Sequence, residues 1–512
     1  MNKLILENFR TYKNRTEIDL APITILTGKN NSGKSTIIKA ILLLSDYLNS
    51  DNQLNLEFDG PSAQKHKIDC MENALTWGSE SKTFEISYEK DGYRFSFHFA
   101  DYTMSGLFHR LDFIHIATNS KMSIESLAKS VLNFEIEDIF LETFNPQRIE
   151  NSSSENKNYR DRLIEYNFEI EKIGEEIKLY NTGSLESIEL ITRKNSMSKK
   201  IKDMQKRINE LSPSDKNRKK HTSIVYNYDM SLDDENDISL TVISLLRRFL
   251  SRYFNSDEYK DEFGNIDQFK TRNIIFNLPE RLSSAMSFKA HHLGPNRTHQ
   301  ARLYLNQDRN TEINEIMAEY AHRKPPKGSI AYQFLIKWMI EFEIGTDVRV
   351  KDVQATASYL EIFNQERWQN LTDKGFGAGQ VLTILMKLCN EIQHQKDPGI
   401  SYRRYRRSKP IIMIEEPETN LHPYLQSRLA EMFYDAYKQF GIRFILETHS
   451  EYLIRKTQAI VNKTNDLEAF KVYYIDNLTG IHEMRYREDG KFMDEFGPGF
   501  FDESSNLAFE LF

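Results

Sequence analysis

The sequence predicts an α/β protein with a mainly parallel sheet and an inserted α-helical segment that projects as an antiparallel coiled-coil hairpin. Three observations carry this expectation. Apolar runs that read as buried strands, "PITILTG" (22–28), "PIIMIEE" (410–416), "IRFILETHS" (442–450) and "FKVYYIDN" (470–477), alternate with helical segments. Strands separated by helices pair in parallel, and such sheets bind ligands at the carboxyl ends of their strands. The first run passes through a glycine-bearing loop into the helical stretch "STIIKAILLLSDYL". Finally, Leu163, Tyr166, Ile170, Ile173, Ile177 and Tyr180, then Met197, Ile201, Met204, Ile208 and Leu211, step by three and four on either side of an "NTGS" turn. That is the a/d spacing of a heptad, although each arm holds only about two heptads and an ordinary amphipathic helix pair has the same pattern.

Residues 4–26 read as two short strands ahead of the loop and helix, and "TFEISYE" and "YRFSFHFA" read as a hairpin turned by "KDG". From about 136 to 290 the chain becomes polar and mostly helical, and after 291 it returns to α/β. The expected division is 1–135, an N-terminal lobe; 136–290, the insertion with its hairpin at about 157–211; 291–460, a C-terminal lobe; and 461–512, a small terminal module.

Composition narrows the class. The 512 residues are 39% hydrophobic and 28% charged, with 32 Phe and 25 Tyr, which is the make-up of an ordered protein. A net charge of -7 argues against a generally basic nucleic-acid coat but leaves room for local patches at "KNRKK" (216–220) and "RRYRRSK" (403–409). Each run also reads as a solvated loop. Cys70 and Cys389 are too far apart in sequence for a CxxC pair or a disulfide framework. With no secretory h-region and no apolar stretch of spanning length, a cytoplasmic location without membrane association is expected.

The chemistry concentrates in four places. "GKNNSGKS" (28–35) fits GxxxxGK[ST] between a strand and a helix. Gly28 and Gly33 let backbone amides turn toward phosphate, Lys34 neutralises β and γ charge, and Ser35 holds Mg²⁺. Asn30, Asn31, Ser32 and Thr36 complete this candidate ATP site. "IIMIEEPETNLHP" ends an apolar strand in two acids, giving Glu415 a metal-side role and Glu416 that of general base. "ETHS" places His449 after a second apolar strand, within reach of a γ-phosphate. "GFGAGQVLT" (375–383) is a glycine-rich turn ahead of an apolar helix, whose free amides suit an anion. His291, His292 and His299 lack an acidic or cysteine partner at ligand spacing and read as structural.

In that order, "GKNNSGKST", "GFGAGQVL", "IEEPETNLHP" and "ETHSE" resemble the ABC-type ATPase heads of the SMC, Rad50 and RecF kind, and more closely the prokaryotic AAA15 and OLD-like ATPases. The segment "HHLGPNRTHQARLY" (291–304) and the tail after residue 472 are similar to segments of one branch of that group, the tail to a small module of unknown function. The resemblance spans roughly 1–135 and 285–512. It implies that the glycine-rich loop, through Gly377, Gly379 and Gln380, closes over ATP held by a second subunit, giving a head-to-head homodimer. It also implies a nucleotide contact from Arg10 on the first strand, an interface position for Asn420 and His422, and a glutamine linked to Mg²⁺, for which Gln64 is the candidate. Two departures stand out: Ala378 and Gly379 occupy the place of a serine, and Glu415 that of an aspartate.

Only 63 residues follow His449, too few for the Toprim nuclease of OLD-type relatives. The expectation is therefore a slow ATPase that regulates a separate effector, of the kind seen where a Septu-like ATPase pairs with an HNH nuclease in anti-phage defence. A RecF- or Rad50-like clamp, binding nucleic acid through Arg403, Arg404, Arg406 and Arg407, is the second reading. A nucleotide-stabilised interaction scaffold is the third.

Overall fold

The chain opens with a hairpin: β1 (Lys3–Glu7) and β2 (Thr16–Asp19) pair antiparallel, and β3 (Ile23–Gly28) follows separately. Three strands thus replace the two expected over 4–26, because Asn8 and Arg10 take left-handed backbone angles and turn the chain back. The computed structural model describes residues 1–101, 106–128, 130–137, 140–141, 223–230, 240–255, 268–297, 301–305, 311–354, 356–395, 410–477 and 479–510. The predicted hairpin at 157–211 and both basic runs lie outside these residues.

After β3 come α1 (Lys34–Asn49), β4 (Asn55–Leu56) and two single-turn helices, α2 (Ala63–His66) and α3 (Met71–Ala74). Strands β5 (Thr83–Lys90) and β6 (Tyr93–Asp101) form the expected hairpin; Asp91 and Gly92 both have positive φ, the geometry of a tight two-residue turn. Then follow β7 (Gly106–His115), β8 (Ser120–Ala128), β9 (Val131–Glu137), β10 (Ser223–Asp229), α4 (Val242–Asn255) and α5 (Gln268–Met286). The rest is β11 (Ala290–Leu293), β12 (Tyr304–Leu305), α6 (Glu312–Arg323), α7 (Ile330–Glu341), β13 (Asp347–Val353), β14 (Ala357–Asn364), β15 (Arg367–Asn370) and α8 (Phe376–Gln395). It closes with β16 (Ile411–Glu415), α9 (Pro423–Phe440), β17 (Arg443–Glu447), α10 (Glu451–Thr464), β18 (Phe470–Asp476), β19 (Gly480–Met484) and α11 (Glu503–Glu510).

The chain divides into two units: 1–111 with 239–241 and 283–512, and 112–238 with 242–282. In the first, a six-stranded sheet runs β11-β16-β17-β3-β18-β19, parallel throughout except at the β19 edge. β3 is buried at all six positions, as expected of a strand covered on both faces. α8 is buried nearly all round and carries Leu382, Leu385, Met386 and Leu388 into the same core as Ile25, Ile414 and Leu446. Burial drives the Cys389 thiol on this helix up to about 12, which leaves it protonated. A four-stranded antiparallel sheet, β12-β14-β13 with β15 on β14, completes this unit's C-terminal part.

Within the second unit β8, β9 and β10 pair antiparallel, and α4 presents Leu245, Leu246, Phe249, Leu250 and Tyr253 as its buried stripe. Phe249 stacks on Phe134 with ring centroids 4.2 Å apart.

The two units and the strands within them run differently from the expected division. The first unit runs to 111, and β8 and β9 pair with each other and β9 with the returning β10 in the second. The span 136–290 is not simply helical, since β10 and the end of β9 lie in it. Beyond residue 460, β18 lies beside β3 in the central sheet, within the same unit.

Candidate functional site

The carboxyl ends of β16, β17 and β3 lie side by side, and the predicted motifs meet there. Glu415 is the register partner of Glu447, which in turn sits opposite Leu26. The phosphate loop leaves β3 with Gly28 at φ +128°, passes Asn31 at +60° and enters α1 through Gly33 at +101°. A Cβ on Gly28 would lie 2.1 Å from the Ile475 carbonyl oxygen, and one on Gly33 would lie 2.6 Å from Thr11 Oγ1. Both positions therefore need glycine for conformation and for space. Asn30 and Asn31 are exposed at the tip, and Ser32 and Thr36 are buried.

Lys34 is buried, its Nζ donating to the carbonyls of Gly28 at 3.2 Å and Lys29 at 2.6 Å. Burial lowers its pKa, opposed by Glu447 and Glu416. Ser35 donates its hydroxyl to both carboxylate oxygens of Glu447, at 3.1 and 2.8 Å. Burial pushes the Glu447 carboxyl up to about 7; the Ser35 hydrogen bond and Lys34 oppose that rise, and Glu415 and Glu416 add to it. Glu447 belongs to the "ETHS" motif, in which sequence reasoning singled out only His449. Its contact depends on β17 lying between β16 and β3, which local sequence does not encode.

Glu415 accepts from His292 Nε2 at 2.8 Å, and the other ring nitrogen lies 3.8 Å from Glu312. His291 lies 2.8 Å from Glu391. The acidic partners missing at ligand spacing come from distant strands and helices, and no three-residue metal cluster occurs among the described residues. His299 lies outside them. Glu416 is exposed with a left-handed backbone at φ +46°, and its N–H donates to the Glu447 carbonyl at 2.7 Å. His449 is exposed, with its backbone N–H on Glu418 Oε1 at 2.8 Å. Partial desolvation of the ring lowers the His449 pKa, helped by Lys34 and opposed by Glu416, which favours the neutral imidazole. Buried Arg297 reaches the carbonyls of both Glu415 and Glu416, a second contact that sequence spacing does not reveal.

The glycine-rich stretch differs from the expected turn. Gly377 and Gly379 lie inside the first turns of α8 and are buried with Gln380, whose Nε2 donates to the Pro295 carbonyl at 3.2 Å. Exposure falls instead on Gly375 and Phe376. Gly377 is small because of packing: a Cβ there would come 2.4 Å from the Asn420 carbonyl oxygen. Arg10 lies beyond β1 in the following turn, its Nη1 on the Asn73 carbonyl at 2.9 Å. Gln64 is exposed on α2, outside the hydrogen-bonded network around Ser35. Asn420 is exposed in the turn after the acidic pair, and His422 caps α9.

These residues fit a nucleotide triphosphate with Mg²⁺. The α1 N-terminus carries no acid in its first turn and no side-chain cap, Lys34 holds a buried cation beside it, and Ser32 Oγ is buried without a partner among the described residues. No helix among the described residues is long and apolar enough to cross a membrane.

The chain is similar to the SMC head domain of Pyrococcus furiosus with an extended coiled coil, solved bound to the C-terminal domain of ScpA; identity is 11%, coverage 100% of this chain and 98% of that one, and the TM-score 0.33. The SMC head domain from Thermotoga maritima is similar at 10% identity over 94% of this chain and 97% of that one, with a TM-score of 0.33. Comparison with curated proteins finds no match. The AAA ATPase domain model matches residues 1–454, a span that includes the phosphate loop, the α8 start, the acidic pair and His449, and the chain belongs to this AAA ATPase domain family.

Proposed function

We propose that the chain is a slow ABC-type ATPase whose heads pair around ATP and whose nucleotide state regulates a separate effector, in the manner of anti-phage defence ATPases. One observation carries the hydrolytic part: Lys34, Ser35, Glu447, Glu416 and His449 converge at the ends of three adjacent parallel strands. Lys34 and the amides of Ser32–Thr36 would hold the phosphates, and Ser35 with Glu447 and Glu415 the Mg²⁺. The bound ion would neutralise phosphate charge and fix the phosphates in place. Glu416, at the exposed strand end, takes the proton from the attacking water at its carboxylate. Neutral His449 donates a hydrogen bond toward the terminal phosphate.

Pairing of heads is supported by the start of α8, where Gly375 and Phe376 are exposed. The lack of a hydroxyl at Ala378 and Gly379 favours slow turnover.

Native mass and ATP turnover of Glu416→Gln test both parts. The expected result is turnover reduced by roughly a hundredfold or more with ATP still bound and a two-head species trapped. Unchanged turnover overturns the general-base assignment, and a single head at saturating ATP·Mg²⁺ overturns the pairing. Co-purification of a nuclease-type protein supports the effector reading; duplex DNA bound in its place favours the clamp.

A further inference from the structure

The segment 291–297 has no assigned part in the chemistry, yet it contains the largest fully buried side chain described, Arg297, at 1% exposure. Its hydrogen bonds end on backbone oxygens. Nη1 donates to Gly294 at 2.7 Å and Glu415 at 2.8 Å, and Nη2 donates to Glu416 at 2.8 Å. Carboxylates 312, 415, 416 and 418 act on it electrostatically, and burial still leaves the guanidinium charged at neutral pH. A buried cation placed only for charge balance would bond a carboxylate; this one spends its planar fork on the carbonyls of Glu415, the last residue of β16, and of Glu416 just beyond it.

Those carbonyls flank an unusual backbone. Glu416 is a non-glycine residue at φ +46°, a conformation that persists only when its surroundings hold it. Its carbonyl also accepts from Thr419 N at 3.2 Å and Thr419 Oγ1 at 3.0 Å, and its N–H is fixed on the Glu447 carbonyl. The Thr419 contacts come from the turn itself and move with it. Arg297 reaches in from 119 residues away and anchors the turn to the β11 side of the sheet.

We propose that Arg297 is a positioning residue for hydrolysis, holding Glu416 in the left-handed backbone conformation that presents its carboxylate to the attacking water. It acts through the Glu416 peptide, whose carbonyl accepts from Nη2. The proposal rests on the reading of Glu416 as general base, so the test separates the two.

The experiment measures kcat, KM and ATP affinity for Arg297→Lys, Glu416→Gln and the double variant in the full chain. Arg297→Lys keeps the cation but loses the fork; kcat is expected to fall roughly ten- to a hundredfold, with ATP affinity within about twofold of wild type. In the Glu416→Gln background the same change is expected to cost nothing more, because its route to the chemistry is already gone. A merely structural arginine would add its loss in both backgrounds, and that additivity would overturn the proposal. So would an unchanged kcat in Arg297→Lys alongside an inactive Glu416→Gln, while the general-base reading survived. If Glu416→Gln is fully active, the base assignment fails first and the proposal with it. Should the lysine variant not fold, Arg297→Gln, which keeps a hydrogen-bond donor without a buried cation, is put through the same cycle with the same criteria.

Discussion

Two glycine-rich stretches serve this molecule, a loop and a helix start, and they use glycine for different physical reasons. In the phosphate loop Gly28 and Gly33 hold φ values of +128° and +101°, and the loop between them exposes Asn30 and Asn31. At the start of α8, Gly377 and Gly379 are helical and buried, and Gly377 is small because α8 packs against the Asn420 carbonyl. One stretch needs a backbone that other residues resist; the other needs close approach between a helix and the turn after the acidic pair. Glycine density alone marks both, and only the structure tells them apart.

The sharpest way to break the comparison is to place the same methyl group in each stretch. Gly28→Ala meets both an unfavourable φ and the Ile475 backbone, so it is expected to cost about 3 kcal/mol or more of stability and to abolish ATP binding. Thermal unfolding and calorimetric titration check both effects. Lys34→Ala isolates the ligand contribution: ATP affinity is expected to fall about a hundredfold, while the melting temperature without nucleotide holds or rises, since a desolvated cation has been removed. A large loss of stability would show that Lys34 supports the fold.

Next comes pH. With the Glu447 carboxyl at about 7 in the fold and near 4.5 when exposed, the folded chain keeps a proton in that window that the unfolded chain gives up. Stability therefore falls as pH rises from 4.5 through 7. Glu447→Gln still accepts from Ser35 and cannot ionise, so it is expected to stabilise the nucleotide-free protein by on the order of 2 kcal/mol at pH 8. The gain shrinks toward pH 4.5, and melts at several pH values read it directly. An equal gain at both ends of the range would assign it to packing.

The smallest expected effect belongs to the helix start. Gly377→Ala has no φ penalty and is expected to cost about 1–2 kcal/mol through the Asn420 contact, with ATP affinity of a single head intact and turnover reduced roughly tenfold. Loss of nucleotide affinity in a single head would show that the two stretches are not separable.

What could be read in advance follows the range of the interaction. GxxxxGK[ST] spans eight residues, so its strand, loop and helix were legible from the sequence, as were β16, β17 and β18 from their apolar runs. Glu447 on Ser35, His292 on Glu415 and Arg297 on the Glu415 and Glu416 carbonyls connect residues more than a hundred positions apart. They arise from strand order, and a backbone acceptor leaves no residue-type signature to search for. β10 was hidden likewise, because its partner β9 lies on the far side of the polar segment.

Strand order also sets a timetable for synthesis. β3 carries the phosphate loop, and its neighbours in the sheet are β17 and β18, which begin at Arg443 and Phe470. At roughly 5–20 residues per second the ribosome needs about 20–80 s after completing β3 before either neighbour exists. Throughout that interval an apolar strand has both edges open, an invitation to wrong pairings that a nascent-chain chaperone would have to screen. The phosphate-loop strand is thus translated long before the sheet that completes the nucleotide site can form.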